Sequence, residues 1–317
     1  MRAVDIDILR LSRRLSTMDR ETITGSRPGI QLLELDDSYV RIRTAGVGPR
    51  TIVVACDPPN VVENYDAVIA ALEADFRVVV FEQPGFGFSY PKAGFDFTRR
   101  DYARVLTQVL DRLGHGPYVL AFPCIAIFHA LQVAFDRPEL VDKLVLMQAT
   151  SWTTQRKWVT QVIGTFSSLL SGITEFSDIG EKVTAMPFLG QGVWAVAEPS
   201  FARQTHKYAV YRSAQRPALF KALLDPLEDA FERGACNCMA SSYQNYFLDD
   251  ESDIPVVKQE TLVLWANKDW MHRNSDPQGL LRYTPQAHWE EIPYTGHHLD
   301  LENPQAVTAA IRRFLAV

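Results

Sequence analysis

Short apolar runs alternate with amphipathic stretches through the first half of the chain. GIQLLELDD and YVRIRTAG, over residues 29–46, predict two early strands joined by an Asp-rich turn. TIVVA at 51–55 predicts a third strand, and RVVVFE at 77–82 a fourth that runs into the turn QPGFGFSYP. Between them Val68, Ile69 and Leu72 fall at helical spacing, which predicts a helix from Tyr65 to Glu73. A helix around 99–113 carries Tyr102, Val105, Val109 and Leu113 on one side, followed by the strand PYVLAF, a helix from Ile125 to Asp136 and the strand KLVLMQ at 143–148. The rhythm breaks after Thr150 and resumes with ETLVLWANKD at 260–269, HWEEIP at 288–293 and a closing helix from Pro304 to Leu315.

Continuous Val, Leu and Ile strands alternating with helices predict an α/β fold: a mostly parallel, doubly wound sheet covered on both faces. Residues 151–252 look helical and aromatic, so they are expected to form a helical cap or lid inserted into a core made of 1–150 and 253–317. At the N-terminus Val4, Ile8, Leu11 and Leu15 recur at helical spacing, so 1–25 is expected to be a helical extension lying on the body.

The remaining composition narrows the partners. Apolar residues are 47% and charged residues 22% of 317, ordinary for a protein with a large core. The net charge is −6, with no stretch basic enough to neutralise a run of phosphates, so nucleic acid is not an expected partner. The N-terminus lacks an apolar signal region and no run reaches the length of a membrane span, so a cytoplasmic protein is expected. Cys56, Cys124, Cys236 and Cys238 are too few for a disulfide scaffold, and the pair flanking Asn237 has no second pair to complete a zinc signature. No metal and no cofactor is expected, and the composition leaves the oligomeric state open.

In a doubly wound sheet ligands collect beyond the carboxyl ends of the strands. Three residues with chemical capacity stand there: Cys124 after YVLAF, Asp269 after TLVLWANK, and His297 in the loop PYTGHH. The turn PGFGFS at 84–89, the run CIAIFHALQVAFDRPELV from Cys124, the loop ANKD at 266–269 and GHHLDLENP at 296–304 together resemble the α/β-hydrolase fold superfamily. The resemblance covers everything except the N-terminus and the inserted segment. It implies a nucleophile at a strand-to-helix elbow (Cys124), an acid (Asp269) and a base (His297), in that family's chain order. Cysteine in this place is similar to dienelactone hydrolases and cysteine-type thioesterases.

The chemistry follows. A helix N-terminus behind Cys124 is expected to favour the thiolate and lower the thiol pKa. His297 would take the thiol proton, and Asp269 would hold its tautomer. An acyl group would pass through a thioester. The leading expectation is an acyl hydrolase for an ester, thioester or lactone, with a small-molecule substrate either free or carrier-bound. The alternatives are an acyltransferase or cyclase with the same nucleophile, and a non-hydrolytic lyase or ligand-binding member of the fold. Dehalogenase and epoxide-hydrolase chemistry are disfavoured by the resemblance, because those relatives need aspartate where Cys124 stands.

The chain departs from the family at three points. The elbow reads Phe122-Pro123-Cys124-Ile125-Ala126, and Phe122 is too large for a close strand–helix approach, so the elbow is expected to open or tilt. Ile125 supplies one oxyanion-hole N–H, but the second position falls on Pro58, which has none, with the carboxylate of Asp57 beside it. Glu82 stands where the turn often carries Asp, and no functional meaning attaches to it. His298 competes with His297 if the loop slips by one, and His129 is expected to be a packed core histidine. Cys56, Asp57, Phe122, Trp152, Trp158, Tyr243 and Tyr246 are candidate pocket residues.

Overall fold

The computed structural model describes residues 1–25, 27–171 and 177–316. Two helices come first, α1 (Ala3–Thr17) and α2 (Arg20–Thr24), then strands β1 (Ile30–Glu34), β2 (Ser38–Ala45) and β3 (Arg50–Ala55). Helix α3 (Asp66–Leu72) leads to β4 (Phe76–Phe81) and to the short strands β5 (Phe86–Gly87) and β6 (Tyr90–Pro91). Helix α4 (Arg99–Leu113), β7 (Tyr118–Pro123), α5 (Ala126–Asp136) and β8 (Val141–Met147) follow. Then come α6 (Trp152–Ser171), α7 (Ser177–Ala185), α8 (Leu189–Ala209), α9 (Pro217–Glu232), β9 (Cys236–Asn237) and α10 (Met239–Tyr246). The chain ends with β10 (Glu260–Ala266), β11 (His288–Ile292), α11 (Leu299–Glu302) and α12 (Pro304–Leu315).

The main sheet runs β1-β2-β4-β3-β7-β8-β10-β11, with β6 paired to β2 off this path. The β1–β2, β2–β4 and β2–β6 pairs are antiparallel, and every pair from β4 to β11 is parallel. Strand order reverses at β3, which lies between β4 and β7. The crevice beyond β3 and β7 is therefore the topological switch point, where ligands bind in open α/β sheets.

Side chains alternate across the sheet into two cores. Tyr118, Leu120 and Phe122 of β7 join the core with α1, α4 and α5, while Val119 and Ala121 face the core built with α3, α11 and α12. Helix α1 turns Val4, Ile8 and Leu11 inward against the first core. Phe122 is accommodated in the core. It lies in the core at 5.7 Å from the Phe81 ring and 5.9 Å from that of His129.

Glu82 has a structural task that the sequence reading did not give it. Arg41 is completely buried and bridges Glu63 (2.5 Å) and Glu82 (2.8 Å). The Glu82 carboxylate also accepts from Val62 N–H (3.1 Å) and Phe88 N–H (2.6 Å). Gly87, at φ 59°, passes so close that a Cβ there would meet Glu82 Oε2 at 2.4 Å. One buried ion pair thus ties β2, the turn after β4 and the segment after β3 into one unit. Such a pair specifies geometry more than it stabilises, but losing one member strands the others.

Candidate functional site

Chain direction changes sharply after β7. Cys124 sits at φ 49°, a left-handed conformation costly for a residue with a Cβ, and Ile125 at φ −64° opens α5. The turn is held by Cys124 N–H to Met147 O (2.9 Å) and by the Tyr246 hydroxyl to Ile125 O (2.7 Å). Its effect is to lift the Cys124 side chain off the sheet and away from Phe122, into a cluster with Trp158, Trp194, Ala209, Ala240 and Met271.

The other two strand-end residues meet Cys124 there. His297 Nδ1 is 2.8 Å from Asp269 Oδ2, and since a carboxylate only accepts, Nδ1 carries the proton. Asp269 is saturated: it also accepts from Gln148 Nε2 (2.8 Å) and from the N–H groups of Met271 (2.7 Å) and His272 (3.3 Å). Gln148 holds this place at φ 55°, its own Oε1 accepting from Ala266 N–H (2.7 Å). The loop carrying His297 is pinned from outside the sheet, His297 N–H donating to Ala209 O at 2.7 Å. Gly296 allows that approach, because a Cβ there would lie 2.1 Å from Ala209 O.

Asp57 changes the electrostatics. It follows β3, and its Oδ2 lies 3.4 Å from His297 Nε2 and 3.4 Å from His298 Nδ1. Donor atoms of Asp57, Cys124 and His297 all fall within 4.8 Å of one another. Burial alone would push the imidazole of His297 down. The charge of Asp269, with hydrogen bonds to Asp269, Asp57 and Cys124, outweighs it and holds His297 well above its ordinary value. Burial would raise the carboxyl of Asp57, but hydrogen bonds and charge from His297 and His298 hold it well below the usual range. Burial and then the charge of Asp57 push the Cys124 thiol up to about 11, against the His297 contact and the Ile125 N–H. The expectation of a thiol lowered by the helix N-terminus is therefore corrected. At rest the site is an imidazolium between two carboxylates, beside a neutral thiol.

The pocket candidates separate. Trp158 lies over the site, its ring 5.1 Å from His297 and 4.2 Å from His272 at interplanar angles of 23° and 13°. Trp152 and Tyr246 instead belong to an aromatic cluster with Phe128 and Phe247, where Trp152 Nε1 donates to Asp249 O. Tyr243 bonds Glu181 (2.6 Å) and lines a separate cavity of about 660 Å³ with Arg2, Asp96 and Arg156. Cys56 is buried packing in the core with α3, its thiol pushed well up by burial. Phe122, as above, is core. The Pro58 position offers no donor, and the Asp57 N–H is already given to the Tyr65 hydroxyl at 3.0 Å. His298 faces Asp57 and His206. Burial holds His129 down near 3, and it contacts the Tyr246 hydroxyl.

The structure adds residues that sequence reasoning missed. Gln148 supports Asp269, and Gln155 of α6, completely buried, places Nε2 at 3.7 Å from Cys124 Sγ. His272 stacks on His297 at 5.3 Å and 10°, is held down near 3 by burial, and stays neutral. A glutamine after a strand or inside a helix carries no motif, so neither could be singled out; His272 lies three residues from Asp269, which was its one signal. The set Asp57, Cys124 and His297, with Asp269 behind the imidazole, has the donor types that a thiophilic divalent ion takes. Outside Trp158 a cavity of about 150 Å³ is lined by Thr154, Gln161, Trp270 and Met271.

The comparisons agree with this fold. The family described as "alpha/beta hydrolase fold" matches residues 58–178. The chain is 24% identical over 283 residues to haloalkane dehalogenase 2 of Mycobacterium tuberculosis, covering 87% of this chain and 92% of that protein. It is 30% identical over 140 residues to a 2-hydroxy-6-oxononadienedioate/2-hydroxy-6-oxononatrienedioate hydrolase of Pseudomonas sp, covering 41% and 47%. Among solved structures, epoxide hydrolase A of Mycobacterium thermoresistibile superposes with a TM-score of 0.69 over 92% of this chain and 98% of its own, at 16% identity. Among the described residues no helix is long and apolar enough to cross a membrane. With its sheet order, its left-handed elbow and these similarities, the chain has the α/β-hydrolase fold.

Proposed function

We propose that the chain is an acyl hydrolase that opens an ester, thioester or lactone through a thioester on Cys124. The observation that carries this reading is Cys124 on a strained elbow within reach of His297, which is itself bonded to Asp269 at 2.8 Å.

Proton placement gives Asp57 a role. His297 is already an imidazolium, so the thiol proton must finally rest elsewhere. His297 passes its Nε2 proton to Asp57 and takes the proton of the thiol, while sulfur attacks the acyl carbon. This neutralises Asp57 as negative charge appears on the acyl oxygen beside it, and removes a repulsion that would otherwise oppose that charge. Collapse of the tetrahedral intermediate breaks the bond to the leaving group, which takes a proton from His297. Water then attacks the thioester with His297 as base. The carboxylic product leaves, the C–S bond breaks, and the sulfur recovers its proton as Asp57 returns to carboxylate. The aromatic segment 151–252 acts as the lid in this reading. Cys124 is only 5% exposed, so α6 must move outward to admit substrate.

Burst kinetics on p-nitrophenyl acyl esters test the proposal. The expected result is one equivalent of p-nitrophenol per chain ahead of steady turnover, lost in Cys124→Ala. Full turnover in Cys124→Ala would overturn it. One observation favours a second reading, a lyase that moves protons between Asp57 and His297: a carboxylate stands where a second oxyanion donor is expected. That reading requires Cys124→Ala to keep activity on the true substrate.

A further inference from the structure

The oxyanion of the proposed acyl transfer lacks a second donor. Ile125 N–H supplies one at the start of α5, but Pro58 has no N–H and the N–H of Asp57 is taken by Tyr65. A single donor makes a poor oxyanion hole. The remaining candidate comes from α6.

Gln155 lies on the first turn of α6, completely buried, with its amide nitrogen 3.7 Å from Cys124 Sγ. The amide cannot turn round without loss. Its Oε1 accepts from Thr150 N–H at 3.2 Å, and Gln155 N–H itself bonds Ser151 O at 2.7 Å, which fixes the helix start. Trapped in this way, Nε2 has its N–H pointing to the sulfur side. A thiol is a weak acceptor, so this contact is a poor use of a buried donor. When an acyl carbon joins Sγ, its oxygen must fall within bond lengths of that sulfur, where an amide held at 3.7 Å can reach it.

We propose that Gln155 is a catalytic residue whose side-chain amide, with Ile125 N–H, forms the oxyanion hole in place of the donor lost at Pro58. The inference rests on the acyl-enzyme reading above. In the first step a C–S bond forms between Sγ and the acyl carbon, and the carbonyl π pair moves onto oxygen. Gln155 and Ile125 each donate one hydrogen bond to that oxygen and lose no proton. Because the donor rides on α6, a substrate that lets α6 seat fully completes the hole, and one that holds α6 out leaves it with one donor. Fit of the acyl group beneath the lid is thereby converted into rate.

Rapid-quench intact mass with p-nitrophenyl acyl donors measures the acylation rate of wild type, Gln155→Met and Gln155→Glu. Met matches the side chain in size without a donor; Glu keeps an acceptor for Thr150 and puts a carboxylate where the donor was. The expected result is acylation slowed by about 10²–10³ in both variants, with KM nearly unchanged. Alkylation of Cys124 by iodoacetamide, which forms no oxyanion, should keep its wild-type rate in Gln155→Met, whereas the carboxylate of Gln155→Glu beside Sγ should slow it. An acylation rate within threefold of wild type in a variant that melts normally overturns the role of Gln155 alone. An equal fall in acylation and alkylation in Gln155→Met also overturns it, by placing the effect on the thiol. No acyl adduct on wild-type Cys124 overturns the acyl-enzyme reading and this inference together.

Discussion

The two halves of the site are built by opposite means. On one side Asp269 and His297 close a chain of hydrogen bonds rooted in β8, β10 and the loop after β11, with all four contacts of Asp269 made by the protein. On the other side, beyond β3, a backbone donor is missing and a carboxylate stands in its place, wedged between His297 and His298. The first half is a preorganised imidazole–carboxylate pair. The second half charges that base before any substrate arrives, and pushes the thiol it should activate up to about 11. Cys124 and His297 in register are therefore not enough to describe the site, because its electrostatics are also set by the carboxylate across from them.

Asp57→Asn should break this contrast most sharply. Without the negative charge, His297 loses proton affinity and the Cys124 thiol falls from about 11, so iodoacetamide should label Cys124 faster at pH 8. Turnover should nevertheless fall by about 10²–10⁴, as for loss of a general acid–base group. A rise in both rates would mean that Asp57 only restrains the cysteine.

Arg41→Met tests the frame of the second half. It leaves Glu82 buried without its counter-charge and Glu63 with Arg233 alone, and should cost about 3–5 kcal/mol, read as a lower denaturation midpoint. An unchanged midpoint would mean that the pair does not hold the segment after β3. Gln148→Leu tests the first half. Removing one charge-assisted donor from Asp269 should lower kcat about tenfold to a hundredfold through misplacement of the imidazole, with KM steady. A normal kcat would show that the backbone donors of Met271 and His272 suffice.

The smallest effect is a slope. With the thiol near 11, wild-type alkylation should climb about tenfold per pH unit from 7 to 10. The sign follows from the thiolate being the reactive form and from a pKa raised above 9.0. A plateau by pH 8 would mean that the helix N-terminus prevails over burial and Asp57.

The fold was legible because apolar runs in β3, β4, β7, β8 and β10 are buried on both faces, and such strands announce themselves without any tertiary knowledge. Cys124, Asp269 and His297 could be picked out because each lies within five residues after a strand end. Phe122 packs against Phe81 and His129, a match between distant elements that a local elbow rule does not see. The direction of the thiol shift was misjudged for a similar reason. A helix N-terminus is local, whereas burial beneath α6 and the approach of Asp57 from β3 are products of the whole fold. Gln148 and Gln155 act through position alone, and their residue type says nothing of it. Segment 151–252 showed its aromatic content, yet content did not separate Trp158, over the imidazole, from Trp152 and Tyr246, which hold the core.

The most direct test is intact mass after acid quench of the protein mixed with a panel of p-nitrophenyl and thioester acyl donors, with Cys124→Ala alongside. The account predicts a shift of one acyl group on the wild type with at least one donor, released by hydroxylamine and absent in Cys124→Ala. A Cys124→Ala protein that takes up the same acyl group, or turns over the donor with no adduct on wild type, would contradict it.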